Sequence, residues 1–113
     1  MQTEQLLKLV ETELDERKGL NITTLDVRGK TSFTDYMVIV TGTSSRHAKS
    51  LCDYVVEKAK THGVQPLGTE GAGVSDWVLV DLGDVVLHVM TGQAREFYQL
   101  EKLWSVPADA QKS

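Results

Sequence analysis

Two β-rich runs joined by a two-residue turn constrain this fold more than any other feature of the chain. The runs cover residues 76–82 and 85–90, and Gly83 and Asp84 lie between them. Glycine readily adopts the positive φ that the tight turns of hairpins require. The sequence therefore predicts an antiparallel β-hairpin that turns at these two residues.

The register of this hairpin gives it two different faces. One face, which carries Leu82 and places Val80 opposite Leu87, is aliphatic and belongs in a core. The other face is mixed and has three cross-strand pairs: Trp77 with Met90, Leu79 with His88, and Asp81 with Val86. It is too apolar for ordinary exposure to water and too polar for a dry interior. Two explanations stay open: a helix of the same chain covers it, as is usual in α/β proteins, or a partner docks there.

Helical and extended patterns alternate along the rest of the chain. Periodic apolar residues predict helices over residues 3–18, with Thr3 as N-cap, from the 42–45 turn to residue 62, and over 93–104. Strands are predicted over 22–27, 36–41 and 65–67, and the glycine-rich residues 68–75 are predicted to be a mobile loop. We expect the first two strands to form an antiparallel hairpin. The helix that follows them should lead to a parallel neighbour.

These elements predict a mixed α+β fold, in which helices pack on a mixed sheet of four to five strands. At 113 residues the chain is long enough to bury a core as one domain. We expect this domain to cover residues 1–105 and residues 106–113 to be a disordered tail. The single cysteine, Cys52, lies at helical spacing beside Leu51 and Val55, which favours a small core residue over a disulfide or a metal ligand.

The last predicted helix carries more apolar side chains than one packing face can hide. On a helical projection Phe97, Leu100 and Trp104 form one stripe, which we expect to dock on the sheet. Tyr98 lies off that stripe, and Leu103 lies to its other side. Two explanations stay open for Tyr98: it lies over the loop before the helix, or it faces an external partner.

Charge and hydropathy exclude several classes of function. The formal net charge is −4, and no run of basic residues is longer than two. Direct binding to nucleic acid depends on several Lys or Arg contacts to phosphate, so a basic protein is the better-matched partner. No run approaches the ~20 apolar residues of a membrane span, and the first residues do not have the pattern of a secretory signal. We therefore expect a cytoplasmic protein that has no membrane partner.

The turn at residues 42–45 (Gly-Thr-Ser-Ser) is the best candidate for chemistry. It lies between a strand and a helix and could hold an anion, but it lacks the lysine and the glycine spacing of a P-loop. Nucleotidyltransferases follow such a turn with a strand that carries two acids at i and i+2, which share metal ions. Asp76, Asp81 and Asp84 do not have this spacing, and the three histidines form no ligand pair. We therefore expect no metal, no cofactor and no catalytic residue.

Short motifs along the chain together resemble one family. The matching segments are residues 25–27 (LDV), 34–36 (TDY), 41–47 (TGTSSRH), 66–68 (PLG), 70–71 (EG), 76–77 (DW), 80–84 (VDLGD), 88–90 (HVM), Arg95, Tyr98 and 100–104 (LEKLW). Over about residues 5–105 the chain resembles the ribosomal silencing factor S family, also called the Iojap or YbeB family. The resemblance implies a fold related to nucleotidyltransferases without their catalytic acids. It also implies a non-enzymatic factor that binds the fourteenth protein of the large ribosomal subunit at the intersubunit face. Such a factor would block subunit joining, lower translation when nutrients are scarce and assist late assembly of the large subunit.

The resemblance also implies a partner-binding surface on the last strands and the last helix. The residues carried over as contacts are Trp77, Asp81, Leu82, His88, Tyr98, Glu101 and Leu103. The two aromatic residues would be anchors, the two leucines apolar contacts, His88 a polar contact, and the two acids charge complements to a basic protein. Trp104 also matches the family but is assigned to packing.

Three classes of function therefore stay open at this point. The first is the ribosome-binding factor, with a homodimer that hides the mixed sheet face when no ribosome is bound. The second is a diverged nucleotidyltransferase-like enzyme that holds a nucleotide at the 42–45 turn. The third is a dimerisation module that has no ribosomal role.

Overall fold

The hairpin lies within a single mixed sheet that carries helices. The protein, as a computed structural model, is described over residues 1–71, 76–99 and 102. In chain order the elements are α1 (Thr3–Glu16), β1 (Leu20–Asp26), β2 (Tyr36–Gly42), α2 (Ser45–Thr61), β3 (Gly68–Glu70), β4 (Trp77–Asp81), β5 (Val85–Thr91) and α3 (Gly92–Tyr98). The five strands lie in the order β1-β2-β5-β4-β3. β2 and β5 are parallel, and the other neighbours are antiparallel. The predicted mixed α+β fold is confirmed.

The β4–β5 hairpin has the predicted register. Val80 lies opposite Leu87, and Trp77 lies opposite Met90. The Leu82 N–H donates to the Val85 carbonyl at 2.9 Å, which closes the turn. Within the turn Gly83 has φ +89°, the conformation for which glycine was expected.

The aliphatic sheet face forms the core with α1 and α2. The predicted apolar face of α2 is buried: Ala48, Leu51, Cys52, Val55 and Ala59. Cys52 is buried, so this cysteine is a core residue, as predicted, and its burial raises the pKa of the thiol to about 11. In the described part of the chain no helix combines the length and apolar character that a membrane span requires.

Three local predictions are wrong, each because a distant contact outweighs the local pattern. The N-cap of α1 is Gln2 rather than Thr3, because the Thr3 hydroxyl donates instead to the Asp84 carboxylate at 2.8 Å. The third strand covers Gly68–Glu70 rather than residues 65–67, because its register is set by pairing with β4. Part of the predicted mobile loop is therefore a strand, and residues 72–75 lie outside the described residues. Helix α2 does lead to a parallel neighbour of β2, as predicted, but that neighbour is β5 rather than the next strand in sequence.

Candidate partner-binding site

The mixed sheet face is largely covered within the chain. Ala94 of α3 packs against Ile39 and Met90 at one end of this face. Farther along the same face Met37 and Val86 are also buried. A helix of the same chain, α3, therefore covers the end of the face at Met90, and the buried residues farther along show that the whole face is not a docking surface.

Helix α3 packs differently from the predicted stripe. The Phe97 side chain is 79 % exposed, and Ala94 takes the buried position instead. After Tyr98 the chain takes a left-handed conformation at Gln99, with φ +50°. The projection assumed one regular helix over residues 93–104, and its assignment of Phe97 to the buried side is wrong. Leu100 and Trp104, the other members of that stripe, lie outside the described residues.

The exposed aromatic residues instead line a groove between α3 and the start of β4. The groove has a volume of about 360 Å³, and its lining, which we call the aromatic groove, comprises Asp76, Trp77, Gln93, Ala94, Phe97 and Tyr98. The ring centroids of Trp77 and Tyr98 are 4.6 Å apart, and those of Phe97 and Tyr98 are 5.0 Å apart. Tyr98 is 51 % exposed, while Trp77 is half-buried. Clustered, partly exposed aromatic side chains of this kind are typical anchors in protein interfaces.

His88 supports the groove from inside the sheet. Its side chain is only 4 % exposed, so the prediction that it contacts a partner directly does not fit the structure. The Trp77 indole Nε1–H donates to His88 Nδ1 at 3.0 Å. Because Nδ1 accepts this hydrogen bond, the neutral imidazole carries its proton on Nε2. Burial lowers the pKa of His88 to about 4, which keeps the ring neutral near pH 7.

The burial of His88 predicts a loss of stability in mild acid. In the unfolded chain the imidazole has its ordinary pKa of 6.5, against about 4 in the folded protein. Between these values the unfolded chain binds a proton that the folded chain does not, so lowering the pH over this range favours unfolding, by up to about 3 kcal/mol. Thermal unfolding measured from about pH 7 to about pH 4 should show a steeper fall in melting temperature for wild type than for His88→Leu. Equal slopes would contradict this interpretation.

Arg95 fixes α3 on the sheet and was missed as a site residue by the sequence analysis. Its Nη1 donates to the Asn21 carbonyl at 2.6 Å and to Thr41 Oγ1 at 2.9 Å, and its Nη2 donates to Thr23 Oγ1 at 2.8 Å. Asn21 has φ +51° at an irregularity in β1, and its carbonyl accepts one of these bonds. Arg95 was identified as one of the residues that match the family. Sequence spacing does not reveal its hydrogen bonds to β1, which lies more than 70 residues away in the chain.

The remaining predicted contacts do not gather at the groove. Asp81 lies at the far end of β4, about 13 Å from Trp77 at the usual rise of a strand. Its carboxylate accepts the Gly83 N–H at 2.8 Å and so stabilises the hairpin turn. Leu82 is buried in the core, which removes it as a direct contact. Glu101 and Leu103 lie outside the described residues.

Three polar groups of the 42–45 turn, the Thr43 N–H and the hydroxyls of Ser44 and Ser45, are bonded within the chain. The Thr43 N–H donates to His47 Nδ1 at 2.9 Å, and the Ser44 hydroxyl accepts from the His47 N–H at 3.1 Å. The Ser45 hydroxyl donates to an Asp76 carboxylate oxygen at 3.1 Å. Among the residues described, no group of three or more His, Cys, Asp or Glu side chains is placed to hold a metal ion.

These features define a class: a small α+β domain with an aromatic groove on its surface. All 113 residues match the family model described as ribosomal silencing factor during starvation, RsfS. The chain therefore belongs to the RsfS family.

Known proteins of this family are similar to the chain over most of the chain's own length. The chain is 50 % identical to the ribosomal silencing factor RsfS of Haemophilus influenzae, over 86 % of this chain and 94 % of that protein. It is 35 % identical to the mouse (Mus musculus) protein named mitochondrial assembly of ribosomal large subunit protein 1, over 82 % of this chain and 42 % of that protein. A crystal structure of a protein from Chromobacterium violaceum superposes with a TM-score of 0.91 at 40 % identity, covering 95 % of this chain and 89 % of that one.

Proposed function

We propose that this protein is a ribosomal silencing factor that binds the large ribosomal subunit and keeps the small subunit from joining it. The observation that carries this proposal is the family match over all 113 residues. Silencing would lower translation when nutrients are limiting. The name of the mouse relative supports an additional role in assembly of the large subunit.

The proposed partner is the fourteenth protein of the large subunit, at the face that meets the small subunit. The aromatic groove supports binding to a protein, because Phe97 and Tyr98 offer exposed rings and Trp77 backs them. A basic partner suits both the net charge of −4 and the Asp76 carboxylate that lines the groove. Aromatic faces also attract the ammonium and guanidinium groups of such a partner.

The structure changes the proposed set of contacts. Trp77 and Tyr98 remain the central anchors, and the exposed ring of Phe97 joins them. Asp81, Glu101 and Leu103 stay proposals on the strength of the family resemblance. A standard interface buries about 800 Å² on each partner, so the groove would be the centre of a larger surface.

We infer that the protein acts by occupying space rather than by catalysis. In the alternative, a nucleotidyltransferase-like enzyme, the N-terminus of α2 would bind a nucleotide phosphate. That interpretation is less well supported, since Thr43, Ser44 and Ser45 already bond to His47 and Asp76. A homodimer that hides the mixed sheet face in the absence of ribosomes remains a prediction.

A sucrose-gradient experiment tests the proposed function. Purified protein is mixed with purified large subunits, purified small subunits, or neither, and each mixture is sedimented. We expect saturable cosedimentation with the large subunit alone. Cosedimentation with small subunits only, or with neither particle, would overturn the proposal.

A further inference from the structure

His88 lies beneath the aromatic groove without forming part of its surface. It lies on β5, and its ring centroid is 5.7 Å from that of Trp77, with the planes at 45°. The two side chains share one sheet face, because the residue opposite Trp77 is Met90, two positions beyond His88. The hydrogen bond between Nε1 and Nδ1 therefore reaches diagonally across the hairpin.

This hydrogen bond restricts the orientation of the indole. An indole has a single N–H donor, and placing that donor on one buried acceptor selects one ring orientation. The other aromatic side chains of the groove depend on that orientation, since Tyr98 packs against Trp77 with its ring tilted and Phe97 packs against Tyr98. A series of contacts thus leads from a buried imidazole to the most exposed ring of the groove.

We propose that His88 is a positioning residue for partner binding: it holds Trp77, through the indole N–H, in the orientation that the groove presents before a partner arrives. This inference rests on the proposed function, because it takes the groove as the partner-binding site. Ordering a side chain in advance removes an entropic cost of binding that corresponds to about two- to tenfold in affinity for each side chain.

Two variants of similar size separate positioning from simple packing. In His88→Asn the amide oxygen occupies the place of Nδ1 and can accept the indole N–H, whereas His88→Leu has the same branched shape and no acceptor. Both variants lose part of the imidazole volume, so both should be less stable than wild type. The asparagine variant should be the less stable of the two, because its buried NH₂ group has no assigned acceptor. We therefore expect His88→Leu to be the more stable of the two variants and His88→Asn to bind large subunits more tightly.

The experiment combines two measurements on wild type and both variants. The first is hydrogen exchange of the Trp77 indole N–H, followed by ¹⁵N-resolved NMR and assigned with Trp77→Phe. The second is affinity for purified large subunits. We expect slow exchange and near-normal affinity in wild type and His88→Asn, and fast exchange with about two- to tenfold weaker binding in His88→Leu.

Two outcomes would overturn the inference while leaving the proposed function intact. One is wild-type affinity in His88→Leu despite fast indole exchange. The other is binding that falls in step with melting temperature, so that the asparagine variant binds more weakly than the leucine variant. If wild-type protein fails to bind large subunits at all, the proposed function is wrong, and the role of His88 in partner binding is wrong with it.

Discussion

Replacing Tyr98 with alanine is expected to weaken binding to the large ribosomal subunit by about thirtyfold, the usual cost of removing a central aromatic anchor. Phe97→Ala should weaken it in the same direction. Both side chains are mostly exposed, at 51 % and 79 %, so neither supports much of the core. Melting temperatures should therefore stay close to wild type. A cosedimentation titration together with thermal unfolding by circular dichroism measures both quantities.

Phe33→Ala is the matched control for these two variants. Phe33 is 75 % exposed, close to the 79 % of Phe97, but it precedes β2. The start of β2 pairs with the start of β5, at the opposite end of the sheet from Met90 and the groove. This variant should bind large subunits as wild type does. The site assignment fails if Phe33→Ala loses binding while Tyr98→Ala and Phe97→Ala retain it.

A large loss of stability is expected from Gly42→Ala. A Cβ added at this position would lie 2.8 Å from the backbone nitrogen of Ala48 and 2.9 Å from its Cα. The N-terminus of α2 therefore approaches the end of β2 so closely that only glycine fits, and the helix must shift to admit a methyl group. Overpacking of this kind costs about 1–3 kcal/mol, or about 5–15 °C in melting temperature for a domain of this size.

Gly68→Ala controls for the general effect of replacing glycine. A Cβ at Gly68 meets nothing within 4 Å, so this variant should melt within a few degrees of wild type. If Gly42→Ala is as stable as Gly68→Ala, the close approach of helix and strand is not what requires glycine in the 42–45 turn. A specific role in ligand binding would then regain support.

Local patterns predicted the parts of the fold that depend on local spacing. The β4–β5 register follows from the turn at Gly83 and the alternation on either side of it. The buried face of α2 follows from its helical periodicity. Pairing between distant segments was not predictable in the same way: β3 is defined by its bonds to β4, and β5 rather than β3 receives the crossover from β2.

The candidate site was predicted in part, for a related reason. Trp77 and Tyr98 were both expected to be anchors, and the structure brings their rings together. The exposure of Phe97 was missed because the projection assumed a regular helix over residues 93–104. The burial of His88 depends on cover from other elements, and no pattern within β5 indicates that cover. The prediction from sequence was thus weakest at the last helix, and the proposed function depends most on that helix.

The most direct test of the central claim is reassociation of purified ribosomal subunits, followed by light scattering. Large subunits are first saturated with wild-type protein or with Tyr98→Ala, and small subunits are then added. Steric exclusion predicts that wild-type protein reduces the formation of joined ribosomes in proportion to its occupancy of the large subunit, and that Tyr98→Ala at the same concentration leaves most joining intact. Unchanged reassociation on large subunits shown to be saturated with wild-type protein would contradict the proposed silencing role.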